Sequence, residues 1–343
     1  MTRIDFRLWL SGIRPRTLPA SIAPVVAGAA AAWRAILPPA CPEPHPQSVW
    51  CTAAQSRFDE LSGRFWPVLM LCMLVALLLQ IAVNFANDYS DGIRGTDEGR
   101  NRNVGDGHGP SPASAVSSVS AVSSISTGPK RLVASGVPAR KVLMAAGLAA
   151  AGACACGIVA IVIAHAWWLF AVGAASLLAG WFYTGGRHPY GYAGFGEASV
   201  FVFFGLAAVL GTEYALTGTV SVLGALAACA CGLNAVMLLM INNLRDVDSD
   251  RLHGKRTLAV RLGVSRARLA LAVCAVAETL IAAVLVTVLW APWGMVLVIS
   301  GLAVTVRMVM GAWRGNFREA LMDAGYQSLF FAVLFSVCAA MAG

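Results

Sequence analysis

Nine stretches of this chain are apolar over the ~20 residues that a helix needs to cross the hydrocarbon core of a bilayer. They are residues 18–37, 66–86, 141–164, 166–184, 198–216, 220–243, 267–290, 293–311 and 326–342. The second is nearly pure hydrocarbon, with Gln80 as the one polar side chain from Trp66 to Val83. Inside lipid every backbone N–H and C=O must be satisfied within the spanning segment, and runs of this length do so as helices. Only 12% of the 343 residues are charged, against about 25% in soluble domains. The reading is therefore an all-α integral membrane protein, one polytopic domain over residues 1–343, with nine transmembrane helices.

The cationic residues orient it. With the N-terminus on the cytoplasmic side, all but Arg34, Arg57 and Arg64 of the 25 Lys and Arg fall on cytoplasmic segments, as the positive-inside bias requires. That bias accounts for the net charge of +8 without nucleic acid, and the bilayer itself is the first partner implied. The expected location is the cell membrane, multi-pass, with the loops after the second, fourth and sixth spans cytoplasmic.

Two segments stand outside this pattern. Residues 38–64 read as a Pro-rich outer loop, in which Cys41 and Cys51 stand close enough in sequence to be bridged. Residues 105–127 are a Ser/Gly/Val insert of linker composition. The other seven cysteines show no metal-ligand spacing, and those inside spans read as small apolar residues.

The second span ends in "NFANDYSDGIRGTD" and the sixth in "NNLRDVDSD". Asn84-x3-Asp88 in the first recurs 158 residues later as Asn242-x3-Asp246. On a helix, i and i+4 share a face, so Asn84, Asp88 and Asp91 form one stripe and Asn242, Asp246 and Asp250 another. Two similar clusters, four spans apart at the same membrane face, suggest two pseudo-repeated halves around one central site. Hard carboxylate oxygens in this number suit magnesium, which takes one or two carboxylates and completes its shell with water and phosphate. A divalent ion at each cluster, bridged by a diphosphate, would resolve the concentration of negative charge. Lys130, Arg131, Arg187, Arg245 and Lys255 lie beside the clusters and suit a diphosphate leaving group. Arg187 stands out among glycines after Tyr183. Glu197, an ionisable residue just inside the fifth span, is expected to face a cavity. Together these features point to diphosphate-dependent alkyl transfer, with water kept from the reacting carbon.

At these residues the chain resembles the UbiA-type intramembrane prenyltransferases, and most closely their 1,4-dihydroxy-2-naphthoate branch. The stretches "RPRTLPASIAPVVAG", "NDYSDGIRGTD", "PYGYAGFGE" and "NNLRDVDSDRLHGKRTLAVRLG" carry the resemblance, which covers all but residues 38–64 and 105–127. It implies nine helices around a central cavity, two Mg2+, a polyprenyl diphosphate and an aromatic acceptor prenylated with loss of its carboxylate. By the same resemblance Asp88, Asp91, Asp246 and Asp250 hold metal, and Asn84, Asn87 and Asn242 are the motif amides. Tyr183 and Arg187 match a tyrosine–basic pair at the diphosphate. The broader superfamily often continues its first motif with an aspartate where this chain has Gly95. The naphthoate branch shares that departure.

Two other classes fit less well. Asp88-x2-Asp91-Gly92 also begins the motif of CDP-alcohol phosphotransferases, but Gly95-Thr96 stands where that motif needs Ala-Arg. A transporter would carry its charges near the membrane midplane, whereas here they sit at helix ends.

Overall fold

The computed structural model describes residues 6–38, 49–93, 131–186, 189–289 and 293–342. Every element among them is helical or a turn. In order they are α1 (Phe6–Ile13), α2 (Leu18–Ile36), α3 (Val49–Ile93), α4 (Ala139–Ala164), α5 (Leu169–Thr184), α6 (Gly196–Val200), α7 (Ala208–Thr217), α8 (Val222–Arg245), α9 (Val247–Leu252), α10 (Leu258–Leu262), α11 (Val264–Val288), α12 (Gly294–Arg314) and α13 (Phe317–Met341). A π-helical turn, Phe201–Ala207, joins α6 to α7, so Gly196–Thr217 runs as one irregular span.

Among the described residues eight helices are long and apolar enough to cross a membrane, and the chain is a multi-pass membrane protein. The remaining expected span, the fourth at 166–184, is the 16-residue α5. At 1.5 Å per residue it covers about 24 Å, short of a full bilayer core. All nine expected positions are occupied by helix.

The outer loop differs from expectation in its second half. Helix α3 begins at Val49 and continues without interruption for 45 residues. The prolines of that loop stop at Pro46, and the following "TAAQSRFDEL" is rich in good helix formers. Leu61, Phe65, Val68 and Leu69 then form a buried stripe against Val25, Ala29, Ala32 and Ile36 of α2. Cys51 is buried and disulfide-bonded; Cys41, its expected partner, lies outside the described residues, as does the whole 105–127 insert. At the other end of the chain, α13 begins nine residues before the expected ninth span, at Phe317.

Helix α2 is the centre of the bundle, packed against α3, α7, α8 and α13. Lipid supplies no hydrophobic drive between helices, so close packing relies on small residues. Nine of the 19 residues of α2 are Gly or Ala, and Gly28 lies so close to α7 that a Cβ there would strike the Val209 carbonyl oxygen. The π-helical turn meets α8 the same way: a Cβ on Gly205 would stand 2.6 Å from the Gly232 Cα. Deeper in the bundle Glu278 of α11 accepts from Gln327 of α13 at 3.3 Å and from Asn234 of α8 at 3.4 Å.

Candidate active site

The last turns of α3 form the hub of one end of the bundle. The polar residues of "NFANDYSD" reach several different neighbours, because successive residues on a helix turn by about 100°. Asn84 donates to the Ile13 carbonyl at 2.8 Å and to the Thr17 hydroxyl at 3.3 Å, holding the entry to α2. Asn87 accepts from the Thr184 hydroxyl at 3.0 Å, and Ser90 donates to the Thr184 carbonyl at 2.8 Å, tying α3 to the end of α5. Asp88 accepts from the backbone N–H of Leu132 at 2.8 Å and of Val133 at 3.1 Å, one to each carboxylate oxygen.

Asp91 is where the distant parts of the sequence meet. Its Oδ1 accepts from the Tyr192 hydroxyl at 2.7 Å and from Lys255 Nζ at 3.0 Å. Its Oδ2 lies 3.4 Å from the Arg131 guanidinium. Lys255 sits 4.5 Å above the Tyr192 ring, a cation–π contact that fixes both donors. Lys255 is placed in turn by α9, since its N–H donates to the Asp250 carbonyl at 2.8 Å. The next residue, Arg256, donates its N–H to the Tyr192 carbonyl at 2.8 Å. The second acidic motif is thereby stitched to the first through the 190–193 turn.

Within that second motif the helix is not continuous. Asp246 closes α8 with φ −97° and ψ 4°, and α9 restarts at Val247. The Asp250 N–H still donates to the Asp246 carbonyl at 2.8 Å, so the two carboxylates keep close to helical spacing. Asp250 is buried. Asp246 is gripped by its neighbour Arg245 through two hydrogen bonds of 2.9 and 2.8 Å. Arg245, read from the sequence as a diphosphate group, therefore faces a carboxylate here. Asn242 donates to the Leu238 carbonyl, 3.2 Å away in its own helix.

Beside this cluster lies an aromatic and acidic wall. Tyr183 meets Tyr190 edge-on with ring centroids 5.6 Å apart. Glu197, Asp91 and Asp250 are all close enough to act electrostatically on Tyr183. A Cβ at Gly196 would lie 3.2 Å from the Tyr183 hydroxyl, so glycine permits that approach. Burial pushes the Tyr190 phenol above its usual value, with the Ser199 hydrogen bond opposing the shift. Tyr190 stays protonated and donates to the Ala179 carbonyl at 2.8 Å. Glu197 is buried, with Oε1 accepting from Asn243 at 2.8 Å and Oε2 unpartnered.

Asp91, Asp250, Arg131, Lys255, Tyr183 and Glu197 thus converge on one end of the bundle. Asn84 and Asn87 brace helices there, and Arg187 and Lys130 lie outside the described residues. Tyr192, Asn243 and Thr184 were not singled out from the sequence. Tyr192 had a signal in the tyrosine–glycine run "YGYAG", and Asn243 one in the doubled amide that opens "NNLRD".

Residues 48–335 match the UbiA prenyltransferase family. The chain is 40% identical to a 1,4-dihydroxy-2-naphthoate octaprenyltransferase of Mycobacterium tuberculosis, over 96% of this chain and 95% of that one. It is 35% identical to the protein of the same name in Escherichia coli, over 76% of this chain and 70% of that one. In fold it resembles the apo structure of a UbiA homolog from Aeropyrum pernix, with TM-score 0.56, 15% identity, and coverage of 93% of this chain and 96% of that one. It also resembles a UbiA homolog from Archaeoglobus fulgidus bound to DMAPP and Mg2+, with TM-score 0.53, 15% identity, and coverage of 97% and 99%.

Proposed function

The chain belongs to the UbiA prenyltransferase family, and we propose that it transfers a polyprenyl group from its diphosphate to 1,4-dihydroxy-2-naphthoate, releasing the acceptor's carboxylate as CO2 and giving demethylmenaquinol, the quinol form of demethylmenaquinone. It is an aromatic prenyltransferase; the acceptor is the part inferred from what the relatives are named for. The observation that carries the proposal is the convergence on Asp91 of Arg131, Tyr192 and Lys255, brought from three separate loops.

The donor set suits magnesium. Among the described residues no group of three or more His, Cys, Asp or Glu forms a ready cage. Mg2+ does not need one, since it binds one or two carboxylates and takes its remaining ligands from phosphate and water. Asp91, Asp246 and Asp250 would hold it, as two ions in the reading favoured by the paired motifs. Asp88, with both oxygens already held by backbone N–H groups, contributes in another way. Bound magnesium would draw electron density from the diphosphate as the carbon–oxygen bond breaks.

The chain's own residues do the rest. Arg131 and Lys255 already carry their charge to the site and supply charge-assisted hydrogen bonds to phosphate oxygens. Lys130 and Arg187 are proposed for the same role on the strength of the sequence. Tyr183 and Tyr190 present ring faces and edges to the reacting end of the prenyl chain. Glu197, held by Asn243 through one oxygen with the other unpartnered, is proposed to accept from a hydroxyl of the aromatic acceptor. Burial keeps water from the allylic cation. The site faces the cytoplasm in this reading, because Arg131, Arg245 and Lys255 belong to the positively charged side.

The test is an assay of the purified protein with one polyprenyl diphosphate and several aromatic acceptors, products identified by mass. Mg2+-dependent diphosphate release coupled to prenylated, decarboxylated naphthoate is expected. Turnover with 4-hydroxybenzoate and none with the naphthoate would refute the acceptor.

A further inference from the structure

The two carboxylates of the first motif have different surroundings, and the difference assigns them different work. Asp91 gathers side chains from distant loops. Asp88, one turn earlier and 1% exposed, gives its two oxygens to backbone, with the Arg14 charge near enough to act on it. Its oxygens take the N–H groups of Leu132 and Val133, consecutive residues of the turn that follows Arg131.

That turn is braced both by its own hydrogen bonds and by packing. Within it Ser135 N–H reaches the Arg131 carbonyl at 3.0 Å, and Gly136 N–H the Val133 carbonyl at 3.0 Å, with Gly136 at φ +90°. Leu132 is fully buried beside Phe85, against Gly12 of α1, where a Cβ would strike its side chain. Val133 lies against Gly92 so closely that a Cβ on Gly92 would overlap it. Two glycines thus clear the space, and one carboxylate holds the backbone. The residue immediately before the held pair is Arg131, whose guanidinium reaches Asp91.

We infer that Asp88 is a positioning residue: it latches the 131–136 turn to α3 and so sets Arg131 on the diphosphate, and it does not ligate metal. This rests on the proposed diphosphate chemistry only for what Arg131 grips; the latch itself concerns the protein alone. A carboxylate that turned toward a metal would abandon two buried N–H groups, each costly to leave unpaired.

The experiment combines hydrogen exchange with kinetics on the full-length protein in detergent. In the metal-free enzyme Asp88→Asn should raise exchange of the peptide 131–137 about tenfold or more, because an amide can accept one N–H but meets the other with its own NH2. Its KM for polyprenyl diphosphate should rise about tenfold, with half-saturating Mg2+ within twofold of the parent. Arg131→Ala should give the same KM rise, and the double variant should be no worse than the weaker single one. Unchanged exchange in Asp88→Asn, with half-saturating Mg2+ raised about tenfold as for a ligand, would overturn the inference. Should that variant fail to fold, the unaltered protein decides. Mg2+ with inorganic diphosphate should leave protection of 131–137 intact or increase it, whereas deprotection would show Asp88 drawn to the metal. If the protein consumes no polyprenyl diphosphate the proposed function fails, and the exchange results still decide the latch.

Discussion

Tyr192→Phe isolates one bond of the site. The hydroxyl donates to Asp91 at 2.7 Å, and the ring lies under Lys255 at 4.5 Å. Phenylalanine keeps the ring, and with it most of the cation–π contact, while deleting the donor. A hydrogen bond to a charged group is worth about 1.5–3 kcal/mol, a factor of roughly 10–150 at 1.4 kcal/mol per decade. Asp91 keeps Lys255 and Arg131 in the variant, so the lower end of that range applies. The expected result is a kcat/KM lower by about tenfold and a half-saturating Mg2+ concentration raised several-fold, since Asp91 loses the bond that orients it. Tyr192→Ala removes the ring as well and forfeits about 0.5–2 kcal/mol more, a further factor of roughly two to thirty. The assay is diphosphate release coupled to prenylated product, run across an Mg2+ titration with both variants checked for folding by size exclusion. A Phe variant indistinguishable from the parent, beside an Ala variant at least tenfold impaired, would refute the hydroxyl's role and leave the ring as the working part.

Asp250→Asn should leave the fold intact and lower turnover by about 10²–10³, the usual cost of losing an electrostatic contact to the transition state; near-normal turnover at ordinary Mg2+ counts against the two-motif site. Glu197→Gln should raise the KM of the aromatic acceptor about tenfold, the value of a hydrogen bond to a charged group, with the KM for polyprenyl diphosphate unchanged; steady-state kinetics varying each substrate separately will tell. Gly28→Val should cost about 1–3 kcal/mol by overpacking the α2–α7 contact, read as a lowered Tm in detergent, and an unchanged Tm would show the helices free to part.

Much of the fold was legible because membrane insertion imposes a coarse and strict code. Length and apolarity placed a helix at each of the nine expected positions, since a bilayer leaves the backbone no other open-chain solution. The misplacements came where that code is silent. Residues 49–64 are polar enough to sit outside the membrane, so hydropathy left them as loop, yet their stripe of Leu61 and Phe65 packs on α2 and carries the helix outward. The nine extra residues at the start of α13 have the same cause, for "FREALMDAG" is charged and helical at once.

The site was legible by residue type and illegible by partner. Spacing put Asn84, Asp88 and Asp91 on one stripe, and helix α3 does run through them. A stripe about two turns long has room for three unrelated neighbours. Asn84 faces the carbonyl of Ile13, Asp88 the N–H groups of Leu132 and Val133, and Asp91 the side chains of Arg131, Tyr192 and Lys255. Nothing in the interval 84–91 specifies those partners, because they arrive from elements 71 residues upstream of Asn84 and 164 downstream of Asp91. The same interval explains why two aspartates of one motif need not be equivalent. The one that meets backbone is bound to the fold, and the one that meets cations is poised to exchange them for a ligand. Charge supports that division. Arg131 and Lys255 offset Asp91 while no diphosphate is present, and each can turn from carboxylate to phosphate without ever leaving a buried charge bare. Asp88 gives both oxygens to backbone N–H groups, so its contribution to turnover passes through the backbone it holds.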